Sequence, residues 1–179
     1  MRNILTKKFF NRDTVTVAKD LIGKFLVRKI ENKEISMMIV ETEAYDGEND
    51  KASHASKGKT KRTEVMFGHP GHWYVYLVYG MHEMLNIVTR EKDYPAAVLI
   101  RGVIAEDNRH VNGPGKLTKL LKISRRLNNT LADKSSGLWL EDRDVKIPKS
   151  KRKRSPRVGV NYSGPIWSKK YWRFYSDNF

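Results

Sequence analysis

No cysteine occurs among the 179 residues, so disulfides, thiolate catalysis and cysteine-ligated zinc are excluded. Apolar runs are short, and none approaches the roughly 20 residues of a membrane span. The opening MRNILTKKFFNRD lacks the apolar core of a signal peptide. Acidic residues are the scarcer charge, 20 Asp and Glu against 35 Lys and Arg, for a formal net charge of +15. That excess does not decide a fold, but it points to a polyanionic partner, nucleic acid before an anionic membrane. Hydrophobic residues, at 39%, lie above the disordered range. The expectation is a soluble intracellular protein, cytoplasmic or held with the chromosome, built as one domain over residues 1–179.

Punctuation and periodicity predict the elements. Asp13 or Thr14 caps a helix with Val15, Ala18, Leu21 and Ile22 on one face and Gly23 as its stop. KFLVRKI and ISMMIVETEAY read as strands joined in a hairpin through ENKE. Residues 47–72 are polar and rich in Gly, Lys and Ser, which predicts a long loop. HWYVYLVYG, MLNIVT and AAVLIRGVI read as further strands, and GLWLE, PRVGV and KYWRFY as late ones. GPGKLTKLLKI opens a short helix with Pro114 in its first turn. The fold class is α/β in the broad sense (α+β), with a mostly antiparallel sheet.

Against the basic background, VETEAYDGENDKASHAS gathers Glu41, Glu43, Asp46, Glu48 and Asp50 beside Tyr45 and His54. If residues 39–45 form a strand, a period of two puts Glu41, Glu43 and Tyr45 on one face and Thr42 and Ala44 on the other. Glu41 reads most simply as a strand-end charge facing water or paired with a lysine. Glu43, deeper in the strand and beside an aromatic, is placed to act as a general base. His54 on its own is an ordinary loop histidine. HEMLN has Asn86 where the zinc helix signature needs its second histidine, and HPGH is broken by Pro and Gly, so no metal site is expected.

WYVYLVYG sets Trp73, Tyr74, Tyr76 and Tyr79 within seven positions. Some must be core; in a basic protein the remainder suit base stacking, worth about 1–3 kcal/mol per base. A tyrosine before Gly80 at a hairpin tip is placed to wedge into a duplex. The densest basic run, KIPKSKRKRSPR (146–157), has two readings, a solvated loop or a phosphate-contacting segment.

Nearly end to end, the chain resembles the 3-methyladenine DNA glycosylases of the alkyladenine type, which excise alkylated and deaminated purines. The pieces E-T-E-A-Y, S-H-A, M-F, Y-V-Y-x-x-Y-G-M and N-G-P-x-K-L occur in order and at family spacing. The resemblance implies a curved antiparallel sheet flanked by helices, with a hairpin that enters the minor groove. By position, it implies that Glu43 activates the water and that Arg101 lies beside that water and the flipped nucleotide's backbone. It implies a base pocket walled by Tyr45, His54 and Tyr76, with Asn86 screening exocyclic groups and Tyr79 filling the gap left by the flipped nucleotide. Family members often carry Tyr at the position of Ser56 and Asn at that of Thr63, so loop contacts and substrate range are where this chain departs.

The expected activity is monofunctional. Alkylated purines such as 3-methyladenine and 7-methylguanine, with hypoxanthine as a further candidate, are flipped out and released by water, leaving an abasic site for base excision repair. The expected partner is double-stranded DNA containing damaged purines, with no membrane, no cofactor and a monomeric protein. Two other classes share part of the pattern. A non-catalytic basic nucleic-acid-binding protein would have the charge and the aromatics without needing Glu43, and an RNA-directed hydrolase would use the same flipping logic on a ribose backbone.

Overall fold

The computed structural model describes residues 2–176. Its elements follow in chain order: β1 (Asn3–Ile4), α1 (Lys7–Phe10), α2 (Thr14–Asp20), β2 (Phe25–Ile30), β3 (Lys33–Asp46), β4 (Trp73–Val78), β5 (His82–Val88), β6 (Ala96–Ala105), β7 (His110–Asn112), α3 (Pro114–Leu120), β8 (Leu138–Asp142), β9 (Lys153–Ser155), α4 (Gly164–Trp167) and β10 (Arg173–Tyr175). The ten strands form one sheet, and every pairing in it is antiparallel. The main path runs β1-β8-β2-β3-β6-β5-β4, with β10 also on β3, β9 on β10 and β7 on β6.

Strand β3 organises the site. Its first part, Lys33–Met38, pairs with β2 through the expected hairpin; a later part, Glu41–Glu43, pairs with β10 instead. The switch falls where the register against β6 shifts, between Ile39 and Glu41 and between Glu41 and Thr42. A bulge at this point bends the strand and re-aims the side chains beyond it. Behind it lies α2, capped as the sequence predicts by the Asp13 carboxylate, which accepts from the Thr16 amide at 2.8 Å. The Thr42 hydroxyl donates to the Ala18 carbonyl at 2.8 Å and ties helix to strand.

Leu21, Leu26, Ile39, Trp73, Leu85, Ile87, Ile100, Leu117 and Leu121 are among the fully buried side chains of the main core. A smaller cluster, Ala55, Val65, Met66, Phe67, Tyr74, Val88 and Ala97, packs against Tyr76. Its members come largely from the 47–72 segment, which is not structureless: it holds 3₁₀ turns at His54–Lys57 and Glu64–Phe67.

Three sequence expectations need correction. PRVGV (156–160) is not a strand; it is a turn, with Gly159 at φ 74° in the left-handed region. KYWRFY contributes only Arg173–Tyr175 to the sheet. The basic run is not wholly loop, since it contains a 3₁₀ turn at Lys149–Lys151 and then β9. HEMLN lies in β5, so its residues alternate between faces rather than share a helical one. Among the described residues, no helix is long and apolar enough to cross a membrane.

Candidate active site

The bulged end of β3 presents Glu41, Glu43 and Tyr45 on one face, as period two requires. Glu43 is completely buried, yet each of its carboxylate oxygens has a donor. Oε2 accepts from the Tyr45 hydroxyl at 2.8 Å, and Oε1 from the Val158 amide at 2.7 Å. Arg101, on the neighbouring strand β6, brings its Nε to 3.4 Å from the same Oε1. Burial raises the Glu43 pKa above the ordinary carboxylate value. Arg101, the Val158 amide and the Tyr45 hydroxyl work against that rise, while the Glu41 charge adds to it. The site therefore holds a carboxylate with enhanced proton affinity.

Glu41 departs from its expected place in water or beside a lysine. It is largely buried between two arginines, accepting on Oε1 from Arg101 Nε at 2.9 Å and from Arg173 Nε at 2.6 Å. Burial works to lower the Arg101 pKa, but Glu43 and Glu41 outweigh it and hold the guanidinium firmly charged.

Beside this cluster lies a narrow cleft lined by Tyr45, His54, Tyr76, Asn86 and Tyr162 among others. His54 and Tyr76 touch edge to face, their centroids 4.6 Å apart at 74°, so the two rings form one wall rather than opposing ones. Tyr45 lines the cleft with them, and the Arg157 guanidinium lies 4.8 Å from its ring centroid. Burial, with Arg62 and Lys57 adding to it, lowers the His54 pKa to about 4, which leaves the imidazole neutral at pH 7. Burial also raises Tyr74 to about 12 and Tyr76 higher still, so the phenols keep their protons. With the imidazole neutral and the phenols protonated, the rings a cationic guest would meet carry no charge of their own, although guanidinium groups already lie against Tyr45 and, from Arg62 at 5.0 Å, against Tyr76. The Asn86 amide nitrogen donates to the Tyr74 carbonyl at 3.1 Å and the Met84 carbonyl at 3.3 Å, an anchorage that immobilises the side chain at the cleft.

Tyr79 stands apart from the cleft. It occupies the β4–β5 hairpin tip at φ 51°, followed by Gly80 at φ 70°, with the Met81 amide closing the turn on the Val78 carbonyl at 3.1 Å. Its side chain is 87% exposed. Holding a bulky residue in the left-handed region is unfavourable, so the turn keeps an apolar ring in water at a conformational cost. Its partners in the WYVYLVYG stretch divide as expected: Trp73 and Tyr74 are core, and Tyr76 is partly buried at the cleft.

Sequence reasoning missed three contributors. Arg157, inside the basic run, is fully buried and pairs with both oxygens of the equally buried Asp50, its Nη2 donating to Oδ1 at 2.8 Å. Its Nη1 also donates to the Ala44 carbonyl at 2.9 Å. The next residue, Val158, supplies the backbone amide on Glu43. Tyr162, 71% exposed at the cleft, donates its hydroxyl to the Ala52 carbonyl at 3.0 Å. Only Tyr162 left a trace in the sequence, as an aromatic in a Gly-rich stretch. Of the two departures from the family pattern, Thr63 is buried, its hydroxyl donating to the Gly58 carbonyl at 2.9 Å, and Ser56 lies at the edge of a neighbouring groove with Lys57 and Arg62. Among the described residues, no group of three or more His, Asp or Glu is placed to hold a metal ion.

An enclosed carboxylate beside an aromatic cleft, on a strongly basic protein with an exposed tyrosine at a hairpin tip, is a constellation suited to work on a nucleic-acid base. Residues 8–178 match the methylpurine-DNA glycosylase family, and the chain belongs to that family. Relatives agree along almost the whole length. A protein of Methanocella arvoryzae is 44% identical over 98% of this chain and 93% of its own. One of Ehrlichia chaffeensis is 41% identical over 96% and 92%, and one of Borreliella afzelii 44% identical over 96% and 95%. All three carry the provisional name 3-methyladenine DNA glycosylase.

Proposed function

We propose that the protein is a monofunctional DNA glycosylase that removes alkylated purines, 3-methyladenine and 7-methylguanine first, from double-stranded DNA. It acts as one domain and leaves an abasic site for base excision repair. The observation that carries this reading is the Glu43 carboxylate, buried against Arg101 and Tyr45 at the aromatic cleft.

Chemistry inside a stacked duplex requires the nucleotide to be extruded, at a cost of a few kcal/mol. Tyr79 offsets part of that cost by occupying the vacated space. The extruded base enters the cleft between Tyr45 on one side and the His54–Tyr76 wall on the other, with Asn86 testing its exocyclic groups. An alkylated purine is cationic, so it gains a cation–π component in a pocket whose histidine is neutral. It departs as a neutral base, so its bond to the sugar is already weak. Water attacks the anomeric carbon as that bond breaks. Glu43 takes the water's proton, its charge stabilises the oxocarbenium-like sugar, and the bonding electrons leave with the base.

Neutral lesions such as hypoxanthine need protonation as they leave. A His54 with a pKa near 4 is a poor donor at pH 7, so alkylated purines are the favoured substrates. The test is to incubate the protein with methylated duplex DNA, hypoxanthine duplex DNA and methylated RNA, identify released bases by chromatography and count abasic sites. Release of 3-methyladenine from DNA supports the reading. Release from RNA alone, or binding without release, overturns it.

A further inference from the structure

The Arg101–Glu41–Arg173 cluster joins three strands, β6, β3 and β10, at the rear of the proposed catalytic carboxylate. Arg101 has one Nε–H to give. It directs it at Glu41 Oε1, 2.9 Å away, and holds the same nitrogen 3.4 Å from Glu43 Oε1. Arg173 donates to that same Glu41 oxygen at 2.6 Å and is itself steadied by the Ser155 hydroxyl through Nη1 at 3.3 Å. Space for the Glu41 side chain exists because its cross-strand partner is Gly102; a Cβ there would stand 3.1 Å from Glu41 Cβ and 3.3 Å from its Oε2. Charged groups so little exposed do not remain clustered without a compensating role in stability or in the site.

We propose that Glu41 and Arg173 are positioning residues that together set how far Arg101 is drawn off Glu43: Glu41 engages the guanidinium, and Arg173, sharing the same Glu41 oxygen, limits that pull, so that Arg101 steadies the carboxylate without closing a full ion pair on it. This rests on Glu43 being the general base. A carboxylate in a tight ion pair with arginine is a weak base; one that only borders the guanidinium keeps its affinity for the water's proton. Glu43 is faced by Glu41 and Tyr45 from β3, Arg101 from β6 and Tyr76 from β4, and by the Val158 amide and Tyr162 from residues 156–163, with Arg157 stacked behind Tyr45. Of these, only Glu41 both repels the Glu43 charge and competes for its arginine.

The two residues therefore pull in opposite senses. Glu41→Gln keeps the shape and an acceptor oxygen but removes the repelling charge and loosens Arg101, which favours ionised Glu43. Arg173→Gln leaves Glu41 less neutralised and draws Arg101 onto it, which disfavours ionised Glu43. In single-turnover release of 3-methyladenine, the acid limb of the pH–rate profile should move down by about one pH unit in Glu41→Gln and up by a similar amount in Arg173→Gln. Arg173→Lys should leave the limb in place. The plateau rate of Glu41→Gln should fall by less than the roughly 10²-fold that marks loss of a general base.

The carboxyl ¹³C shift of Glu43, assigned by its disappearance in Glu43→Gln, should titrate in the same order in the free protein. Limbs and shifts that stay in place, or move in one direction in both variants, overturn the proposal. Should one variant fail to fold, the other's direction decides. If the wild-type protein releases no base at all, the glycosylase reading fails, and the ¹³C titration still decides whether the pair governs Glu43.

Discussion

Replacing Arg157 by alanine should damage the protein more than removing any surface cation of the basic run. The guanidinium is fully buried, bonded to both Asp50 oxygens and the Ala44 carbonyl, and lies 4.8 Å from the Tyr45 centroid and 5.1 Å from that of Trp172. After the substitution the Asp50 carboxylate stays enclosed with only two backbone donors, the Ala52 amide at 3.1 Å and the Asp46 amide at 3.3 Å. Orphaning one member of a buried pair costs about 3–5 kcal/mol. At about 2–4 °C per kcal/mol for a chain of this length, the melting temperature should fall by about 6–20 °C. Arg157→Lys keeps the charge but neither the two-pronged geometry nor the planar stack, so it should recover little of the loss. Asp50→Ala should be comparably harmful, and the double alanine variant should cost less than the sum of the singles, with a coupling above about 1 kcal/mol. Urea denaturation of wild type, the two alanine singles and the double variant at pH 7, with Arg157→Lys alongside, measures this. Below the melting transition, the folded Arg157→Ala protein should also release base slowly, because Arg157 anchors the turn that delivers the Val158 amide to Glu43. Singles within about 1 kcal/mol of wild type and strictly additive would refute the reasoning.

Tyr79→Ala should reduce excision from duplex DNA more than from single strands, since the wedge stabilises extrusion, whereas Tyr76→Ala should harm both alike; single-turnover rates at saturating enzyme give the ratio, and equal losses for Tyr79→Ala would remove the wedge. Glu43→Gln should be more stable than wild type at pH 8 and lose that advantage near pH 4. The raised folded pKa of Glu43 means its contribution is intact below the unfolded value and lost as pH rises through the folded one; paired melting curves across pH test this. Affinity for undamaged duplex should fall steeply with salt, with a slope of about −0.9 per phosphate contact. Replacing Lys149, Lys151, Lys153 and Arg154 by glutamine should flatten that slope if the run touches DNA, and an unchanged slope would return it to a solvated surface.

The parts legible in the sequence were those with local signatures. Asp13 is followed three residues later by the amide it caps, and the period-two pattern of β3 put Glu41, Glu43 and Tyr45 on one face. The tip was readable because Gly80, which enters the left-handed region freely, ends the alternating aromatic run. What escaped depends on contacts distant in sequence. Arg157 looks like any other cation in KIPKSKRKRSPR, and its partner Asp50 lies 107 residues away. The Val158 amide has no side-chain signature at all. PRVGV alternates like a strand, yet Gly159 turns the chain there so that Arg157 points inward. Glu41 read as a surface charge because the bulge that buries it between Arg101 and Arg173 is a property of the folded register.

The proposed mechanism turns on Glu43 activating the attacking water. The measurement is a pair of assays on one methylated duplex, single-turnover base release and equilibrium binding, for wild type and Glu43→Gln. The substitution keeps the shape of the side chain and removes a base and a negative charge. Binding should persist while release falls by at least the roughly 10²-fold expected for loss of a general base. Release of 3-methyladenine by Glu43→Gln at near wild-type rate would contradict this mechanism.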